Sequence, residues 1–132
     1  MDPTLELVGA MIARLKGAPA VVSIVGDRVH DSPPPDYPYP HISIGPSSYQ
    51  SADADCLISG EVMVQIDAWS KQGLTNSEVR RMADAIRAAL RDWHPTLTAN
   101  ALVTLEHWRT DYLRDGEVQH ASVRFTAIIE QP

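Results

Sequence analysis

Cysteine occurs once in this chain, at Cys56. A lone thiol excludes an internal disulfide and any thiolate cluster for zinc or iron, so stability must come from packing. Long apolar runs are missing too: proline, glycine, aspartate or arginine breaks each stretch well before it reaches the length of a membrane span. The first residues lack the basic-then-apolar layout of a secretory signal. The expectation is a soluble protein made in the cytosol, with no membrane partner. Positive charge is also scarce, with 11 Lys and Arg against 17 Asp and Glu and a formal net charge of -6. Such a surface disfavours holding nucleic acid through its phosphates, whereas a channel of that sign would let DNA slide through without stalling.

Reactive motifs are equally sparse. The glycines at 9, 17, 26, 45, 60, 73 and 116 never form a strand-linked phosphate loop. Of the five histidines, no two lie at the helical or short-loop spacing that brings imidazoles onto one ion. His107 and His120 are expected on one face of a hairpin, but a third ligand is lacking. The sequence SADADCLISG around Cys56 has no nucleophile elbow and no oxyanion-hole glycines. Asp53, Asp55 and Asp67 alternate with other residues without a calcium-loop glycine or a paired acid, and read as solvated groups. No catalytic residue, no metal ligand and no cofactor site is therefore expected.

What remains is a chain of 132 residues with ordinary globular composition, enough for a single domain spanning residues 1–132. Asp2 and Pro3 open a helix over residues 2–16 whose apolar stripe is Leu5, Val8, Ile12 and Leu15. A short apolar run, Ala20 to Val25, follows and is compatible with one or two further helical turns. Residues 31–40, DSPPPDYPYP, carry five of the ten prolines, which excludes helix and predicts an extended, stiff connection. Strands are predicted at His41–Gly45 and Gly60–Ser70, paired as a hairpin across a polar loop, Pro46–Ser59, long enough to suggest contacts. Thr75 with Glu78 matches a capping box, and Leu74 with Val79 a hydrophobic staple. The helix they open has Val79, Met82, Ala83, Ile86, Leu90 and Trp93 inward. Arg80, Asp84, Arg87 and Arg91 lie outward as a solvated face with an Arg80–Asp84 pair, and Pro95 closes it.

The last third reads as a long hairpin, Ala101–Arg114 and Glu117–Glu130, around a type I′ turn at Asp115-Gly116. Counting outward from that turn puts Trp108, Glu106 and Leu102 opposite Val123, Phe125 and Ile129. On the other side Val103, Leu105, His107, Arg109 and Asp111 oppose Ile128, Thr126, Arg124, Ser122 and His120. Trp93 and Trp108 are then core residues, while Trp69, on the polar side of its strand, is equally suited to an interface. Both faces of the hairpin are apolar near its base, which suggests that a neighbouring subunit covers the second. The fold class is α+β. The expected order is helix, short helix, two strands, helix, two strands, with a largely antiparallel four-stranded sheet of two hairpins packed against the N-terminal and the longer central helix.

Several segments in this order resemble the small tail-completion proteins of long-tailed phages, prophages and gene transfer agents. They are the amphipathic N-terminal helix, G-D-R-V at Gly26–Val29, Y-P-H-I at Tyr39–Ile42, Q-I-D-A-W-S at Gln65–Ser70, A-D-A-I-R-A-A-L at Ala83–Leu90, and R-D-G-E at Arg114–Glu117. Together they span nearly the whole chain; His41 departs from the family, which more often has an aromatic there. The resemblance implies a tail terminator: a homohexameric ring at the head-proximal end of a tail tube, in a virion or phage-like particle assembled in the bacterial cytoplasm. Its implied partners are copies of itself, the major tail tube protein and the head-completion (stopper) protein, with DNA only as cargo passing through the lumen. On that reading the loop around Tyr49 and Asp53 and the hairpin tip, Tyr112, Leu113 and Val118, are candidates for contact with tube or stopper. Trp69, Arg109 and Arg124 are candidates between subunits. The competing readings are another head-tail joining ring, stopper or adaptor, and a small-molecule-binding regulatory domain with a concave apolar pocket.

Overall fold

The computed structural model describes residues 1–71 and 75–132. Helix α1 (Pro3–Gly17) is capped by the Asp2 carboxylate, which accepts from the amides of Thr4 at 2.8 Å and Leu5 at 3.0 Å. Its buried stripe is Leu7, Met11 and Leu15 with Val8 and Ile12 at the margin, so the expected inward Leu5 is instead exposed. The cap fixes the rotation of the helix, and Leu7 rather than Leu5 lies in line with Met11. The short apolar run is helix α2 (Pro19–Val25), followed by β1 (Val29–His30), β2 (His41–Ser51) and β3 (Ile58–Ser70). Then come α3 (Ser77–Leu90), β4 (Ala101–Asp115) and β5 (Val118–Gln131).

The sheet has five strands in the order β1-β2-β3-β5-β4, one more than expected from the sequence. The extra strand is two residues long and pairs with β2 in parallel, Val29 with Ile42, so the sheet is mixed. A pair of residues carries no periodicity, which is why its alternation was invisible. Strand β2 also runs beyond the expected His41–Gly45 as far as Ser51. A bulge between Ile44 and Ser47 takes up Gly45 and Pro46, and only residues 52–57 remain as a turn. The polar loop is therefore mostly a two-stranded tongue, because serines tolerate an edge strand even though they do not announce one.

All three helices lie on one side of the sheet, over Ile42, Val62, Val64, Ile66, Ala68, Val123, Phe125 and Ile129. Helix α3 buries Val79, Met82, Ala83, Ile86 and Leu90 as expected; it ends at Leu90 with Arg91 as its cap, ahead of Pro95. The capping box is not formed. Asn76 precedes the helix without a side-chain cap bond, Thr75 Oγ1 accepts from the Ser77 amide, and Glu78 instead accepts from Ser70 Oγ at 2.6 Å. That bond ties α3 to the end of β3. The Leu74 half of the expected staple lies outside the described residues.

The Glu6 carboxylate on α1 clamps the segment that feeds β4. It accepts from the amides of Thr98, Ala99 and Asn100, from Thr98 Oγ1 at 2.7 Å and from Asn100 Nδ2 at 3.1 Å. These donors, led by the Ala99 amide and the Thr98 hydroxyl, pull its pKa down to about 2. A depressed carboxylate pKa means that the unfolded chain binds the proton more tightly. The stability from this clamp is therefore fully present above the ordinary value of 4.5 and disappears as the pH falls toward 2. Glu6→Ala is expected to lower the melting midpoint at pH 7 by roughly 5 °C and to leave less difference from wild type near pH 3, read by circular dichroism melts across that range.

Candidate assembly face

Helices cover only one side of the sheet, and the residues singled out from the sequence are divided between the two sides by the hairpin register. The turn is one step further on than Asp115-Gly116: Asp115 pairs with Val118, and Gly116 and Glu117 are the two loop residues. Gly116 has φ of +61° and is the only one of the two with positive φ, the pattern of a type II′ turn, in which glycine comes first. Two bulges, between Leu102 and Thr104 and between His107 and Arg109, then bring the base back into the expected pairing of Leu102 with Ile129. Between them the faces differ from the sequence count. Leu105 and His107 lie over the helix side, where His107 meets Phe125 edge-on at 5.6 Å, while Glu106 turns to the open side.

Three corrections follow from that register. His107 and His120 occupy opposite faces of the sheet and cannot share an ion. Trp108 sits at the bulge, 58% exposed, and is not a core residue. On the open face the apolar base shrinks, since Leu105 leaves it and Val103 is displaced by the other bulge.

The open face is mainly polar, and its side chains are bonded to one another. Asp67 is buried and accepts at Oδ1 from His120 Nε2 at 2.6 Å and from Gln65 Nε2 at 2.8 Å. Gln65 Oε1 accepts from Arg124 Nε at 3.1 Å, Arg124 Nη1 donates to Asp111 Oδ2 at 2.7 Å, and Arg109 Nε donates to the same carboxylate. Trp69 stacks flat on His120 with ring centres 3.9 Å apart, and its Nε1 donates to Ser43 Oγ. His41 stacks on the far side of Trp69, with Tyr37 and Tyr39 against it. Burial holds the His41 imidazole below its ordinary pKa, with the Pro38 carbonyl opposing that effect and Arg28 adding to it.

Gly45 makes this arrangement possible. A Cβ there would lie 2.4 Å from Asp67 Oδ2 and 2.8 Å from Gln65 Nε2, so the network closes directly over bare backbone. Sequence pattern alone showed Asp67, Gln65 and His120 as alternating polar residues on paired strands. Their meeting depends on the β3–β5 register, which brings Trp69 opposite His120 and Gln65 opposite Arg124.

Of the residues expected at interfaces, Trp69, Arg109 and Arg124 are thus brought together in one network. Leu113 and Val118 border an open groove of about 430 Å³ beside Tyr39, Trp69 and His120. Tyr112 is turned to the other side, where its hydroxyl accepts from Arg87 at 3.3 Å and Arg80 lies 4.3 Å over its ring. The outward arginines of α3 therefore anchor the hairpin, and Asp84 pairs with Arg87 at 3.9 Å rather than with Arg80. Tyr49 and Asp53 are distant from the network, at the tongue: the Tyr49 ring lies over Gly60, and Asp53 Oδ1 accepts from the Ser59 amide.

Comparison with known proteins places this architecture. A comparison with curated proteins found no match. Among solved structures, a chain from a structure described as "Virion of native gene transfer agent (GTA) particle" superposes with a TM-score of 0.88 over 96% of both chains at 20% identity, which shows a shared fold. The family model described as "Tail completion protein gp17" matches residues 9–130, nearly the full length, and the chain belongs to that family.

Proposed function

We propose that this protein is the ring-forming terminator of a phage-like tail, a structural component of the particle that acts through its surfaces and has no reactive centre. It caps the head-proximal end of the tail tube, ends tube polymerisation and offers its other side to the head-completion protein. Membership of the tail-completion family is the observation that carries this reading, and the shared fold with a chain of a gene transfer agent virion supports the location in a particle. The uncovered sheet face supports it further: a rigid polar surface, already bonded internally, is built for a fitted neighbour. In the proposed arrangement, copies form a closed homohexamer. Trp69, Arg109 and Arg124 lie toward a neighbouring copy, while Tyr49, Asp53, Leu113 and Val118 lie toward tube or stopper. The formal charge of -6 suits a lumen through which DNA passes as cargo.

Purified protein added to growing tail tubes is expected to bind one end and hold the tubes at a fixed length, as seen by electron microscopy; tubes made without it should overgrow. Tubes that elongate equally with and without the protein would point to a stopper or adaptor in the same joint. A stable small species that ignores tubes altogether would point to a ligand-binding domain.

A further inference from the structure

The two edges of the sheet differ in charge and in what they display. Residues 17–70 hold seven carboxylates and one basic residue, Arg28, whereas residues 71–132 hold eight of each sign. The whole net charge thus lies in the part of the chain that supplies α2, β1, the proline stretch, β2 and β3. At the β1 edge Asp27, Asp31 and Asp36 are exposed, next to the exposed Pro34 and Pro35.

The opposite edge is β4, and among the described residues no strand pairs with its outer side. Its two bulges blunt it against indiscriminate strand addition. Each bulge also leaves one apolar side chain out of the ladder: Val103, 45% exposed, and Trp108, 58% exposed. Trp108 is flanked on the strand by Arg109, which pairs with Asp111, and by His107, whose pKa is lowered by burial and by the nearby Arg87, on α3 and paired with Asp84, and Arg91, the cap of α3. Glu106 and Asp92 line the groove beside His107 with Arg87 and Arg91, and Asp84 and Asp111 are the further acids of this edge.

We infer that the β4 edge receives the β1 edge of a second copy of this chain, with Trp108 seated on the proline stretch and the exposed Arg109 and Arg91 facing Asp27, Asp31 and Asp36. A symmetric contact between two β1 edges would oppose like charges. A tryptophan exposed at a bulge and a stiff proline segment on the opposite edge are complementary in shape and chemistry, because extended proline loses little freedom when an aromatic packs on it. Joining unlike edges is a head-to-tail contact that repeats and can close into a ring. The inference rests on the ring reading and names the surfaces that would make the ring.

The test uses two full-length variants, Trp108→Ala and the triple change Asp27→Lys, Asp31→Lys, Asp36→Lys. All four side chains are exposed, so circular dichroism should show both variants folded like wild type. Each is measured alone and mixed, free and with tail tubes, by glutaraldehyde cross-linking and mass. Alone, each should lose rings, with Trp108→Ala weakening the contact roughly 30-fold or more. Mixed, they should give a two-chain species and nothing larger, since one native contact can then form between the intact edge of each. Rings from either variant alone, or a mixture that never pairs, would overturn the edge assignment and leave the ring reading standing. Wild-type protein that caps tubes as a single chain would overturn both.

Discussion

Replacing Phe125 by alanine should remove about 3–5 kcal/mol of folding stability and lower the melting midpoint by roughly 10–20 °C. Among the described residues Phe125 is the largest fully enclosed side chain, at 2% exposure, on the interior strand β5 opposite Val64. It is the only phenylalanine in the chain, and its neighbours come from the sheet and α3, elements too firmly joined to collapse into the space it would vacate. Denaturant titration with unchanged slope is the measurement. A loss below about 1 kcal/mol would mean that the sheet and helices do not meet as tightly as described. Tail capping by this variant, assayed well below its melting midpoint, should be close to normal because the open face is untouched.

Asp67→Ala should destabilise the protein to a comparable but smaller extent, about 2–3 kcal/mol, and should alter the open face as well. It deletes the acceptor shared by His120 and Gln65, leaving the buried Gln65 amide and the half-buried His120 Nε2 without that partner. His120 is itself partly exposed, which keeps the expected loss below that of a wholly enclosed ion pair. Freed of Asp67, His120 no longer holds its place under Trp69, so tryptophan fluorescence should change in the native state. Asp67→Asn keeps one acceptor oxygen and should lose less than half as much. If Asp67→Ala caps tubes as well as Phe125→Ala does at matched stability, the network is a fold support only and not part of the contact surface.

The helices were legible because α1 and α2 carry Pro at the first turn and glycine at an end, and α3 carries apolar residues three and four apart, although its capping box does not form. The hairpins were legible as pairs of long strands but not in register. Gly116 is compatible with either of two turns one residue apart, and the local residues Asp115-Gly116 favour the one that was not adopted. What decides is the packing of β5, whose Val123 and Phe125 must face the helices, and of Tyr112, which Arg87 and Arg80 hold on that side. Bulges at Val103 and Trp108 have no local signature, so a tryptophan expected inside stands outside. For the candidate face, Trp69, Arg109 and Arg124 were identifiable as large or charged groups on strands. Asp67, expected as a solvated group, is buried, and His120, weighed only as a partner of His107, joins it with Gln65 and Asp111, because their partners are up to 59 positions away in sequence, as in the Gln65–Arg124 pair. Gly45 was read as the end of a strand; that it makes room for a carboxylate emerges only when β2 lies beside β3.

Side chains that already restrain one another have little motion left to lose when another protein settles on them. On the face that carries Asp67, Arg124 and Asp111, a newcomer is not required to supply a partner for each polar atom. Recognition there would depend on matching a fixed relief, so affinity should vary with shape more than with salt.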